Sequence, residues 1–206
     1  LNNEDGGMLI IADYEFIDQM AGFMAWKSQK GISNEIVDIA SIGNNQEALK
    51  TYIEQYYHNH NLTYVLFVGD HQHIPAYLDT SLSGYSDNYY GYIEGEDSYP
   101  EVFVGRFSAE NQNQVTTQAN RVIQYEQNPV ISEAYSNSVG VGSNEGPGDD
   151  GEYDYQHLRN IRSGLLDYSY TSGYELYDGS QGGEDADGNP NASDLHVLLQ
   201  EGMGLI

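Results

Sequence analysis

The 206-residue chain contains no cysteine. That excludes disulfides, cysteine-based zinc sites and a thiol nucleophile supplied from within these residues. Basic residues are scarce: 7 Lys and Arg stand against 32 Asp and Glu, a formal net charge of -25. So anionic a chain repels phosphate backbones and acidic lipid, which sets aside nucleic-acid and membrane-surface binding. Divalent cations and cationic substrates are the natural partners of that much carboxylate. No apolar run approaches the roughly 18 residues of a membrane span. The opening Leu1-Asn-Asn-Glu-Asp-Gly-Gly7 has no signal-peptide character. What is present is sufficient for a packed core: 39% of residues are hydrophobic and 12% aromatic, which argues against global disorder. The 19 tyrosines give the composition an extracytoplasmic flavour.

Met8-Leu-Ile-Ile-Ala-Asp13 and Tyr64-Val-Leu-Phe-Val-Gly-Asp70 are short continuous apolar runs ending in an acid. Continuous rather than alternating apolarity predicts strands buried on both faces, as in a parallel sheet. Phe16, Met20, Phe23 and Lys27 share one helical face between them, and Ile32 to Ile39 reads as a further strand. Asn44 is placed to cap a second helix with Glu47 three residues on and a stripe of Leu49, Tyr52, Ile53 and Tyr56. The order βαβαβ defines a doubly wound α/β pattern. Residues 79–101 read as loop, Val102 to Phe107 as strand, and Ser108 as the cap of a helix running to about Asn128. After a linker, a second α/β unit is expected over 131–206: strand 138–142, helix 153–166, strand 173–177, and a short helix capped by Ser193 and closed by Gly202. Gly204-Leu-Ile206 then reads as the first half of another parallel strand. The expectation is a fragment: a first subdomain over 1–130 and the start of a second.

Ligands of open α/β sheets bind outside the carboxyl ends of the strands, where Asp70 falls. The loop Glu94-Gly-Glu-Asp97-Ser-Tyr99-Pro-Glu101 places Asp97 and Glu101 four apart with Tyr99 between. Carboxylates and a main-chain carbonyl converging there, with Asp70, would suit calcium, which takes mixed oxygen ligands; the plain alternative is a solvated acidic loop. Ser143 to Asp154 follows a strand and opens a helix, the position of an active-site loop. Its glycines lack the Gly-Lys-Ser/Thr of a phosphate cradle, and its acids would repel phosphate. Asp149, Asp150 and Glu152 are explained as acids favouring a helix N-terminus, whereas spacing leaves Glu145 and Asp154 unassigned. His71-Gln-His73 and His58-Asn-His60 lack a third ligand at metal spacing. Asp185 to Asn189 starts like an EF-hand, but Pro190 stands where the turn glycine is needed.

Taken together, Tyr64 to Asp70 with Ile74-Pro75-Ala76, Asp97-Ser-Tyr-Pro-Glu-Val-Phe-Val-Gly-Arg-Phe-Ser-Ala-Glu110, Gln124-Tyr-Glu-Gln-Asn-Pro129 and Glu145-Gly-Pro-Gly-Asp-Asp150 resemble the gingipain family of secreted bacterial cysteine endopeptidases. The similarity runs in order over nearly the whole chain. It implies a mostly parallel, three-layer α/β fold of the caspase-like or flavodoxin-like kind, structural calcium, location outside the cell or on its surface, and protein substrates cleaved after basic residues. By the resemblance, one calcium would be held by the side chains of Asp70, Asp97 and Glu101 and the main-chain oxygens of Glu94 and Tyr99. Asp150 and Glu152 match a second calcium position. Glu145 matches the glutamate beside the catalytic histidine, and Asp154 the acid of the substrate pocket that pairs with a guanidinium. The family's catalytic His-Gly and nucleophilic Cys have no counterpart here, and none of the six histidines stands at the catalytic position. The parent would therefore be a cysteine endopeptidase and the chain by itself inactive. The alternative is a non-catalytic, calcium-stabilised extracellular module.

Overall fold

The computed structural model describes residues 6–79, 84–95, 97, 99–144, 147, 151–179 and 189–206. The chain divides into two compact units, Leu1–Pro129 and Val130–Ile206. In the first, β1 (Gly7–Ala12) leads through two 3-10 turns, Tyr14–Phe16 and Asp18–Met20, into α1 (Ala21–Gln29). Then come β2 (Ser33–Asp38), α2 (Ile39–Ile42), α3 (Gln46–Asn59), β3 (Leu62–Val68), β4 (Tyr77–Asp79), β5 (Gly84–Ser86), a 3-10 turn at Asn88–Gly91, β6 (Phe103–Phe107) and α4 (Gln112–Gln127). The second unit holds a 3-10 turn at Glu133–Ser136, β7 (Asn137–Gly142), α5 (Asp154–Tyr168), β8 (Ser172–Tyr177) and α6 (Ala192–Glu201).

The first unit is built on a parallel sheet in the order β2-β1-β3-β6. Successive strand side chains point to opposite faces, and both faces are covered. Leu9, Ile11, Val65 and Phe67 pack with Ile39, Leu49 and Ile53 on one side. Ile10, Ala12, Leu66 and Val68 pack with Phe16, Met20, Phe23, Val115 and Ala119 on the other. Helix cover on two faces is why β1 and β3 read as unbroken apolar runs, and the three-layer α/β architecture expected from the sequence is the one observed. In the second unit β7 and β8 pair in parallel, and Leu205 makes a parallel bridge to Ser138. Glycines in β7 leave room for the Tyr177 ring. A Cβ on Gly142 would stand 3.0 Å from Leu158 Cδ1 and 3.2 Å from Tyr177 Cδ1.

Four local expectations are corrected. The helix expected to carry Phe16 and Met20 begins only at Ala21; before it, Asp13 Oδ1 takes the Glu15 amide at 3.0 Å and the chain winds in tighter 3-10 turns that still bury both side chains. Asn45, not Asn44, caps α3 by accepting from the Ala48 amide. Asn111, not Ser108, caps α4, because the Ser108 hydroxyl is turned to Asp70. Asn191, not Ser193, caps α6, with Asp194 completing a capping box.

The segment expected to be featureless loop, 79–101, contributes to the core. β4 and β5 form an antiparallel pair, and Tyr90 is wholly buried, edge-on to Phe67, with its hydroxyl donating to Pro75 O at 2.7 Å. Six of the seven basic residues tie the fold internally: Lys27 and Lys30 to Glu126, Lys50 to Glu54, Arg106 to Asp87, and Arg159 and Arg162 to Glu175. Glu175 is 5% exposed, and Arg159 meets it through both Nε and Nη2.

Candidate functional site

Two acidic places lie at carboxyl ends of strands, one in each unit. In the first unit β3 leaves the sheet through Gly69 into a tight turn. The Asp70 carbonyl accepts the amides of His73 and Ile74, and Asp70 Oδ1 accepts from the His71 amide at 2.7 Å, the His71 ring at 3.1 Å and Ser108 Oγ at 3.2 Å. The His71 amide first, then its ring and the Ser108 hydroxyl, hold this carboxyl below the usual aspartate range. Arg106 fixes the turn from behind. Its Nη1 donates to Gly69 O and Ile74 O, either side of Asp70, while Nε and Nη2 grip Asp87.

The acidic loop is closed by one of its own acids. Glu101 Oε2 accepts from the Glu94 and Ile93 amides at 3.0 and 2.7 Å, and these amides lower its pKa. Asp97 Oδ1 accepts from the Tyr99 amide at 2.9 Å. The structure thus brings Glu94 and Glu101 together at the neck of one loop that also carries Asp97 and Tyr99. Asp70 is engaged separately with His71 and Ser108. Among the described residues no three His, Asp or Glu side chains are preassembled for a metal. The donor set is nonetheless all oxygen, and Asp70 Oδ2 and Asp97 Oδ2 take no hydrogen bond among the described residues. That chemistry fits a hard cation and no soft one. The His-x-His pairs serve packing: His60 stacks on Tyr56 at 3.9 Å, His58 meets Tyr57 edge-on, and His73 lies against Phe16.

In the second unit a cavity of about 570 Å³ opens at the carboxyl ends of β7 and β8. Val141, Leu176, Pro190 and Leu195 give it apolar walls, and Asp154 and Asp178 give it two carboxylates. Asp154 is the first residue of α5, where the helix dipole favours its charge. Its Oδ2 accepts from Ser143 Oγ at 2.6 Å, which orients the carboxylate. Glu152 is turned elsewhere: its carboxylate accepts from Asn160 Nδ2 at 3.1 and 3.3 Å and meets His157 Nδ1 at 3.2 Å, on the first turns of α5. Glu145 and Asp150 lie outside the described residues. Sequence reasoning missed Asp178 and Arg106. The signal for Asp178 was available: like Asp13 and Asp70, it is an acid at the carboxyl end of a strand.

The second unit thus carries an acid-lined, apolar-walled pocket at the carboxyl ends of its parallel strands. The chain belongs to peptidase family C25, whose family model matches residues 1–206. It is 37% identical over 183 residues to gingipain R2 of Porphyromonas gingivalis (strain ATCC BAA-308 / W83), covering 85% of this chain and 24% of that protein. It is 26% identical over 147 residues to Lys-gingipain W83 of the same species, covering 68% of this chain and 8% of that protein. Among solved structures it matches the crystal structure of the Arg specific cysteine proteinase gingipain R (RGPB), with a TM-score of 0.77 at 35% identity over 87% of this chain and 43% of that one. A complex of the Porphyromonas gingivalis RgpB pro- and mature domains matches at a TM-score of 0.76, with 35% identity over 84% of this chain and 42% of the other. The chain therefore spans about a quarter of the length of gingipain R2. The gingipain resemblance read from the sequence is the relationship found.

Proposed function

We propose that this chain is the substrate-pocket part of a secreted cysteine endopeptidase that cleaves proteins after basic residues. The carrying observation is the cavity at the ends of β7 and β8, with Asp154 on its wall and Ser143 orienting that acid. A carboxylate lining an apolar-walled pocket rewards a guanidinium, which it binds in a bidentate manner. It disfavours a neutral side chain, which would desolvate the acid without pairing it. The solved relative described as Arg specific supports the same preference. The chemistry would be thiolate attack on the peptide carbonyl with an imidazole as acid and base. These 206 residues contain no cysteine and supply no such thiolate. Glu145, by resemblance, would orient that imidazole.

Calcium belongs to the same reading. Asp70, Asp97 and Glu101 would contribute carboxylate oxygens and Glu94 and Tyr99 carbonyls, with Asp150 and Glu152 at a second position. When bound, the ion would fasten the acidic loop to the end of β3 and offset the repulsion among these acids. Secretion suits the calcium and agrees with the composition. Among the described residues no helix is long and apolar enough to cross a membrane.

The test is Asp154→Asn in the peptidase that contains this chain. The expected result is that kcat/KM for peptides with Arg at the cleavage site falls by orders of magnitude, with folding intact. Unchanged Arg turnover would remove Asp154 from the pocket. The 206-residue chain alone is expected to hydrolyse neither Arg nor Lys peptides, and thiol-dependent turnover by it would overturn the reading.

A further inference from the structure

We propose that Asp178 is a second anionic wall of the β7–β8 cavity, so that a guanidinium or ammonium on an aliphatic stem is held between Asp178 and Asp154. This rests on the reading of Asp154 as the acid of a basic side-chain pocket and extends it to a residue that neither the family relationship nor the sequence motifs single out.

Several strands end in an acid. Asp13 and Asp38 use their carboxylates locally: each accepts an amide two residues on, from Glu15 and from Ala40, both at 3.0 Å. Asp70 is held by His71 and Ser108. Asp178 differs. Its amide donates to Gly142 O at 3.0 Å, which pins the backbone at the cavity. The half-buried Asp178 lines the cavity, and its carboxylate takes no hydrogen bond or ion pair among the described residues. The scarce cations of this unit are already committed, Arg159 and Arg162 to Glu175.

Two carboxylates facing one cavity repel each other, and the repulsion is relieved when a positive charge enters between them. A divalent metal is the poorer occupant. Calcium needs 6–8 oxygens, whereas the Ser143 hydroxyl is already given to Asp154 and Asn191 Oδ1 to Ser193. The remaining walls, Val141, Leu176, Pro190 and Leu195, are apolar. They suit the methylenes of an arginine or lysine side chain, whose charged tip would reach the acids. With carboxylates on two sides, a compact ammonium finds a counter-charge without the planar match that guanidinium needs.

The experiment is an amide NMR titration of the 206-residue chain with n-butylguanidinium, n-butylammonium, n-butanol and calcium chloride. Both cations are expected to shift the Gly142, Ser143 and Asp178 resonances, with butanol shifting them far less. Asp178→Asn, nearly isosteric, is expected to weaken both cations about three- to fivefold, the size of a partly exposed ion pair, and to leave butanol unchanged. Asp178→Ser serves as a second variant should the first disturb the spectrum. If Asp178→Asn binds both cations like the wild type while Asp154→Asn does not, Asp178 has no such role and the reading of Asp154 survives. If the wild type shows no cation-dependent shift at these residues, or calcium at equal concentration produces the same shifts more strongly, the second wall is overturned. The reading of Asp154 is then still decided separately, by peptide turnover in the full peptidase.

Discussion

Arg106→Met tests the tie that sets the carboxyl end of β3. The guanidinium makes four hydrogen bonds: Nε to Asp87 Oδ2 and Nη2 to Asp87 Oδ1, both 2.7 Å, and Nη1 to Gly69 O at 2.8 Å and Ile74 O at 3.0 Å. It also lies 5.1 Å from the Phe67 ring centroid. Methionine keeps much of the packing but leaves Asp87 and two carbonyls without their donor. Removing one partner of a buried pair costs about 3–5 kcal/mol. The side chains of Arg106 and Asp87 retain 12% and 23% exposure, so water recovers part of this and the lower end, about 3 kcal/mol, applies. For the 129-residue unit, an unfolding entropy near 2.1 cal/mol/K per residue converts that into a fall in Tm of about 10 °C. The assay is thermal unfolding followed by the single tryptophan, Trp26, which sits in this unit and donates to Glu126. Most of the loss comes from an unpaired Asp87. Adding Asp87→Asn to Arg106→Met should therefore restore part of it, with a coupling of at least about 1 kcal/mol. A drop in Tm of under about 3 °C, or strict additivity in the double variant, would refute the reasoning.

Three further outcomes are expected. Desolvation, the largest single influence on Glu126, pushes its pKa up, but donation from Lys27, Trp26 and Lys30 outweighs it and holds the carboxyl below its ordinary value. Its stabilisation is therefore complete above the unfolded-state value of about 4.3 and is lost as pH falls through the lower folded value. Glu126→Gln should flatten the acid limb of the Tm–pH profile, and an unchanged limb would contradict this. Gly69 has φ +129°, and a Cβ there would stand 2.7 Å from His73 Cβ; Gly69→Ala should cost about 1–3 kcal/mol in denaturant unfolding, against no loss if the turn simply rearranges. Calcium at about a hundred times its Kd should stabilise the chain by about 2.7 kcal/mol, and Asp97→Ala should remove most of the difference between melts in calcium and in chelator. Identical wild-type melts in the two would count against the ion.

Much of the architecture is legible in local pattern. Leu9 to Ala12 and Val65 to Val68 are buried on both faces of the sheet, and only a two-sided sheet asks for such uninterrupted apolarity. The stripe of Phe16, Met20 and Phe23 faces the core even though the first two sit in 3-10 turns, because burial is set by which side chains are apolar more than by how tightly the chain winds. The acids at strand ends were legible for the same reason: a parallel strand stops being apolar where it leaves the layer.

Tertiary structure alone decided which of these acids are available. Asp13, Asp38 and Asp178 look alike in sequence, yet the first two accept the amide two residues on and cap the next turn, whereas Asp178 lines a cavity. Helix caps were displaced from Asn44 to Asn45, Ser108 to Asn111 and Ser193 to Asn191 by the same competition for amides over one to three residues. Lys27 lies on an apolar stripe and is buried there, its charge met by Glu126, 99 residues away. Asp154 and Asp178 share one pocket because parallel pairing of β7 with β8 brings the start of α5 beside the end of β8. Composition and spacing record how each segment meets water; which charges meet one another is fixed by chain crossings that no local window contains.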